Sequence, residues 1–191
     1  MPPIPAKQLT GVVTASHDHT GGDGATLYID TVLPFATFYT ATEMAGDITT
    51  GGQFAVLEAG AIVSGLWYKS AVVGAHSIKA SLWNSAGSSV ADGTLACAGP
   101  GTYFVPFDSA YTLLAADIGT AMTYGAYETA GNHFCNQATT TDVDAMPIDY
   151  GPVRIDEGPR RYAAGDARPT TDGGGTVRYG VAPVIRKQVG P

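Results

Sequence analysis

The chain has 191 residues, of which 14% are charged, and it carries a net charge of −7. That length supports one substantial core with a short appendage. The acidic balance repels nucleic-acid phosphates and anionic membranes, only "GPRRY" gathers basic residues, and the longest apolar region, "FAVLEAGAIVSGLWY", is broken by Glu58 and by glycines, so neither nucleic-acid binding nor membrane insertion is expected.

The opening stretch, "MPPIPAKQLT", carries prolines that remove backbone donors and disfavour helix, and it lacks the basic-then-apolar pattern of a secretory signal. The protein is therefore expected to be made soluble in a cytoplasm, with residues 1–24 as an extended N-terminal arm and residues 25–191 as a β-sandwich domain. Within the arm, "SHDHTGGDG" places His17 and His19 two residues apart. In extended backbone such residues point the same way, so both imidazoles can meet one ion. Two ligands from one chain leave a transition metal mostly uncoordinated, whereas three copies on a threefold axis supply six imidazole nitrogens, an octahedral set. The other reading is an Asx/Gly turn with exposed histidines.

Beyond the arm, no stretch keeps apolar residues at helical spacing for three turns, while strand patterns recur. "ATLYIDTV" and "GQFAVL" come first. "AIVSGLWYK" then alternates, with Ile62, Ser64, Leu66 and Tyr68 on one face and Val63, Gly65, Trp67 and Lys69 on the other. "HSIKASLWN" repeats the pattern and sets His76, Ile78, Ala80 and Leu82 toward the core, opposite Ser77, Lys79, Ser81 and Trp83. "TYFVPF", "AMTYGAYE" and "TVRYGVAPVI" follow, separated by turn-rich "NSAGSS", "AGPGT" and "TTDGGGT". Many short strands at this spacing predict an all-β fold, an antiparallel β-sandwich of jelly-roll type.

Chemistry-bearing motifs are sparse. The chain holds no Gly-x-Ser-x-Gly, Ser-x-x-Lys or His-Glu-x-x-His, and the glycines of "HTGGDG" are followed by Ala-Thr rather than Lys-Ser/Thr, so it does not read as an enzyme. Asp142 and Asp144 would share one face of a strand and reach a calcium ion with backbone carbonyls, or they belong to a solvated acidic loop. Cys97 and Cys135, far apart and without neighbouring cysteines, read as two buried thiols or as one disulfide.

Gly65, Tyr68 and Lys69, then Gly74 and His76, then Ser81, Leu82, Trp83 and Gly87, with "YGAYETAGNHF" and "RYGVAPV" after them, resemble in order and spacing the family known as domain of unknown function 4082. The likeness spans about Phe54 to Ile185, with departures at Pro183 and at the insertion "TTTDVDAMPIDYG". The resemblance implies a β-sandwich of the kind found beside bacterial carbohydrate-active modules, and glycan binding. Sugar recognition needs exposed aromatic faces with polar neighbours, for which Trp83, Tyr127, His133 and Phe134 are the candidates. The alternative is that Trp83 and Phe134 cover the ends of the sandwich and His76 is a hydrogen-bonded structural histidine. "HDHTGGDG" in turn resembles the His-x-His-x-Gly phrases of trimeric bacteriophage fibres and spikes, some of which bind metal. These resemblances imply a structural virion protein, a tail or fibre appendage or a capsid decoration. Its partners would be other virion proteins, further copies of itself with a trimer favoured, and host surface glycan. It would be assembled in the host cytoplasm and exposed after lysis. The different-class expectation is a carbohydrate-binding module of a bacterial extracellular protein.

Overall fold

The computed structural model describes residues 27–32, 42–45, 47–128, 134–139, 148–156, 158–174 and 177–189. The expected arm lies outside them. The strands are β1 (Leu27–Val32), β2 (Thr42–Ala45), β3 (Ile48–Val56), β4 (Ile62–Ser70), β5 (His76–Trp83), β6 (Ser89–Cys97), β7 (Gly101–Thr112), β8 (Ala121–Glu128), β9 (Phe134–Thr139), β10 (Ile148–Asp149), β11 (Val153–Ile155), β12 (Arg161–Ala164), β13 (Thr171–Asp172), β14 (Val177–Tyr179) and β15 (Val181–Val189). Among the described residues the helical content is one 3-10 turn, Ala115–Asp117.

The strands form two antiparallel sheets. Sheet I runs β1-β15-β4-β9-β14, with β7 on the other edge of β4 and β2 on β9. Sheet II runs β10-β11-β3-β8-β5-β6, with β12 and β13 continuing from β3. The chain is an antiparallel β-sandwich, as its alternation predicts. Between the sheets pack Leu66, Tyr68, Val105 and Phe107 from sheet I and Phe54, Val56, Ile78, Leu82, Met122 and Tyr124 from sheet II, all buried. The Phe54 and Tyr124 rings stack at 6.2 Å inside this layer.

The core-facing set on β5 is as expected: His76, Ile78, Ala80 and Leu82 are buried on the inner face. On β4 the expected face breaks. The register shifts between Val63 and Gly65, so Val63 joins Leu66 and Tyr68 in the core while Ile62 and Ser64 are only half-buried. A bulge adds one residue and inverts the phase behind it, which strict alternation cannot anticipate. Gly65 sits at that bulge because a Cβ there would run into the Val105 carbonyl oxygen.

Two further details follow from backbone chemistry. "NSAGSS" closes the β5–β6 hairpin: Asn84 Oδ1 accepts from the Ser88 N–H at 3.0 Å, and Gly87 adopts φ +89, a conformation side chains resist. Pro183 falls inside β15, yet β1 pairs only with Val184–Val189, so at Pro183 the missing N–H costs the ladder nothing on that side.

Where the open edges of the sheets meet, β6 lies against β7. A Cβ at Gly93 would strike the Pro106 carbonyl oxygen, so only glycine permits this approach.

Leu82 is completely buried, between sheet neighbours and facing the Leu66 layer. Leu82→Ala is expected to lower unfolding free energy by about 2 to 5 kcal/mol through lost burial and the cavity left behind. Urea unfolding of the two proteins measures it.

Candidate functional site

The described chemistry gathers at one end of the sandwich, inside it. Ser70 closes β4 in sheet I, His76 opens β5 in sheet II, Glu128 closes β8, and Cys97 stands opposite His76 on β6. All four are buried. They converge because each occupies the inward phase at the last or first residue of its strand.

The hydrogen bonds fix the protons. His76 Nδ1 lies 2.9 Å from the Gly74 carbonyl oxygen, which can only accept, so Nδ1 carries the hydrogen. Nε2 is then the acceptor and takes the Ser70 hydroxyl hydrogen across 3.1 Å. The Ser70 oxygen in turn accepts from the Val72 N–H at 3.1 Å. This chain of bonds pins the β4–β5 connection and ties sheet I to sheet II. The edge of His76 also meets Tyr103, with ring centroids 6.3 Å apart.

Glu128 is the outlier. Its Oε1 is 3.8 Å from His76 Nε2, both side chains are almost fully enclosed, and neither carboxylate oxygen has a hydrogen-bond partner. Burial pushes its pKa up to about 7, against a smaller lowering by the Ser70 hydroxyl, which lies near but is committed to His76. Burial also raises the Cys97 pKa, and the charge of Glu128 adds to that. Cys97 is a buried free thiol, protonated and inert.

A serine bonded to a histidine near a carboxylate invites comparison with a catalytic triad, but the order is different. In a triad the carboxylate orients Nδ1, whereas here Nδ1 is held by a carbonyl and Glu128 sits on the Nε2 side. Ser70 keeps 2% of its surface, so no substrate reaches its oxygen. The arrangement can hold and move a proton between sheets. His76 is the hydrogen-bonded structural histidine of the sequence reading. Ser70, Cys97 and Glu128 are its unforeseen neighbours.

Of the sugar-stacking candidates, Trp83 and Tyr127 lie within the described residues, and these two are not brought together. Trp83 faces outward on sheet II but keeps only 7% of its surface, which leaves no free indole face for a sugar ring. The reason is a strap, the β12–β13 connection of residues 165–170, which lies across that face. Thr49 Oγ1 donates to the Gly165 carbonyl at 2.7 Å and accepts from the Ala167 N–H at 3.2 Å, while Lys79 pairs with Asp166 at 2.6 Å. Arg168 Nε donates to Thr123 Oγ1 at 3.1 Å and its guanidinium reaches the Gly87 turn, so Trp83, opposite Thr123, lies on its path. Tyr127 is half-buried on the same face, where its hydroxyl bonds to the Asp47 carboxylate and has its pKa raised. It stands opposite Lys79, four strand positions from Trp83, or about 13 Å at the usual rise. Phe134 opens β9, opposite Ala45 on β2. His17, His19, His133, Asp142 and Asp144 lie outside the described residues.

Two outward features remain. Trp67 and Phe104, opposite each other on β4 and β7, form a half-buried aromatic pair on the outer face of sheet I, with centroids 5.7 Å apart. Beside the β6–β7 seam, Ser89, Val90, Ala91, Asp92, Asp108 and Ser109 line an open cleft of about 360 Å³. Among the described residues no three or more His, Cys, Asp or Glu side chains are placed to hold a metal ion.

Ser70→Ala leaves the Val72 N–H and His76 Nε2 without partners in a dry interior, and it is expected to cost about 1 to 3 kcal/mol in chemical unfolding. A loss no greater than that of an exposed serine, such as Ser109→Ala, would show that the inter-sheet bond is not formed.

No family model matches the chain, and no curated protein matches it by sequence, so the likenesses noted for its motifs rest on those short phrases alone.

Proposed function

We propose that the chain is a structural virion protein of a bacteriophage, a tail or fibre appendage or a capsid decoration. Its N-terminal arm anchors it to other virion proteins, and the β-sandwich is displayed outward toward host surface glycan. The observation that carries this reading is the way the chain enters the sandwich. The segment that follows the arm is β1, an edge strand of sheet I, bonded among the described residues to β15 alone. Leu27 stands opposite Val189, so entry into and exit from the sandwich lie side by side. An element anchored at that corner projects the rest of the sandwich away from its anchor.

The remaining surface suits display. Trp83 and the face around it are sealed by the chain's own strap, and the chemically distinctive side chains are enclosed between the sheets. What the sandwich offers to a glycan is the Trp67–Phe104 pair and the carboxylates and hydroxyls of the cleft at Asp92 and Asp108. These same features favour the second reading, a bacterial carbohydrate-binding module, which needs no assembly.

Light scattering separates the two. The full chain is expected to form an oligomer, with a trimer favoured, and removal of residues 1–24 is expected to give a folded monomer that no longer enters particles. A full-length monomer would favour the binding module. Normal incorporation of the truncated chain would remove the arm as anchor.

The His17/His19 reading makes its own demand. Imidazoles must be neutral to coordinate, so transition metal should be present at pH 8 and leave as pH falls through about 6.5. Replacing both with Ala should remove the metal and loosen the trimer while each sandwich stays folded. Elemental analysis before and after chelation decides this, and absence of metal with an unchanged trimer in the double variant leaves "SHDHTGGDG" as a turn.

A further inference from the structure

We propose that Ser70, His76 and Glu128 form a proton-operated latch between the two sheets, closed while Glu128 holds its proton and weakened when Glu128 gives that proton up. The latch acts on the end of the sandwich where β4 turns into β5 and where β8 finishes.

The geometry makes the site bistable. With Glu128 protonated, the cluster contains no net charge: Nδ1–H of His76 bonds to Gly74, Ser70 donates to Nε2, and the Val72 amide donates to Ser70. The Gly74 and Val72 links tie the connection, residues 71–75, to the strand ends, and the Ser70–His76 link joins the two strand ends directly. A carboxylate in the same place has one donor within reach, the Ser70 hydroxyl, and that is already committed to His76. Nε2 is 3.8 Å away and carries no hydrogen in this tautomer. The carboxylate can then be satisfied in one of three ways. Ser70 turns its hydrogen to Glu128, His76 takes a proton onto Nε2 and displaces the Ser70 hydrogen bond, or the end opens and water enters. Each breaks the Ser70 to His76 bridge between the sheets.

Among the described residues the surroundings offer no fixed charge that would hold the carboxylate instead. The titratable groups on the inner faces of the strands packed here are His76 on β5, Cys97 on β6, Tyr68 on β4 and Tyr124 on β8, with Tyr103 on β7 against the edge of His76. Lys69, Lys79 and Tyr127 occupy the outward phases of β4, β5 and β8. Cys135 on β9 stands opposite Ser70 in the register. Tyr103 is already committed, donating to the Gly99 carbonyl at 2.6 Å. Among the described residues, His76 is therefore the one cation-forming side chain that faces Glu128.

The sign of the pH dependence follows from burial. The folded-state pKa of Glu128 is raised from 4.5 to about 7, so between those values the folded chain keeps a proton that the unfolded chain has released. The stability due to this group is fully present below about 4.5, falls as pH rises through that window, and levels off above about 7.

Glu128→Gln mimics the protonated state and should lock the latch. Stability of both proteins is measured by urea unfolding from pH 4.5 to pH 8, and amide hydrogen exchange is followed at Val72, whose N–H donates to Ser70. Relative to Glu128→Gln, the unfolding equilibrium constant of the wild type should rise by roughly a hundredfold across that range. Val72 protection, corrected for intrinsic exchange, should fall at least about tenfold in the wild type and stay level in the variant. A packing defect from the amide itself shifts the variant equally at every pH and leaves this difference intact. A stability difference that does not change with pH would overturn the proposal, as would Val72 protection that follows pH equally in both proteins.

Discussion

The space between the sheets must stay dry, and that constraint explains most of the features around it. Tyr68, Phe54, Leu66, Leu82 and Tyr124 are buried there, and a polar group that enters is stabilised by finding a partner or by changing its protonation, while the inward Thr50 hydroxyl does neither. His76 and Ser70 solve the problem with three hydrogen bonds that use the Gly74 carbonyl and the Val72 amide. Glu128 solves it by keeping its proton up to about neutral pH. The hydrogen-bonded cluster thus sits at the end of the layer, where strand termini bring loop backbone within reach.

The covering of sheet II follows from the same constraint applied to its outer face. Thr49, Ser81, Thr123 and Trp83 point away from the core and are nonetheless buried. The strap that covers them carries its own polar groups, and it meets hydroxyls rather than aliphatic side chains: Thr49 anchors strap backbone and Thr123 the Arg168 side chain, where valine would leave those groups unsatisfied. Gln53 adds its amide to Thr123 at 3.0 Å. Gly125 leaves room for Pro169, whose ring carbon would come within 3.0 Å of a Cβ there. The strap is therefore part of the folded layer.

Much of this was legible from period-two alternation. "AMTYGAYE" coincides with β8, and the core phase of "HSIKASLWN" was correct because no bulge interrupts it before Leu82. Glu128 was readable too: an acidic residue in phase with Met122, Tyr124 and Ala126 marks a buried carboxylate, a signal that motif searches pass over. Other features were not legible. The bulge at Gly65 depends on the approach of β7, and the burial of Trp83 depends on Arg168, distant in sequence. Neither neighbour leaves a mark in the local pattern. Ser70 shares a phase with Leu66 and Tyr68, but its bond to His76 exists only once the two sheets face each other.

The contact at Gly93 gives the sandwich a closed side and a side open to extension. Where β6 and β7 ride together, each denies a foreign strand a line of approach to the other, so backbone pairing with another molecule is blocked along that flank. The opposite flank of sheet I ends in β1. One small residue at the seam thus removes β6 and β7 from edge-to-edge assembly and leaves such pairing, among the described strands, to terminal ones such as β1, β10 and β13.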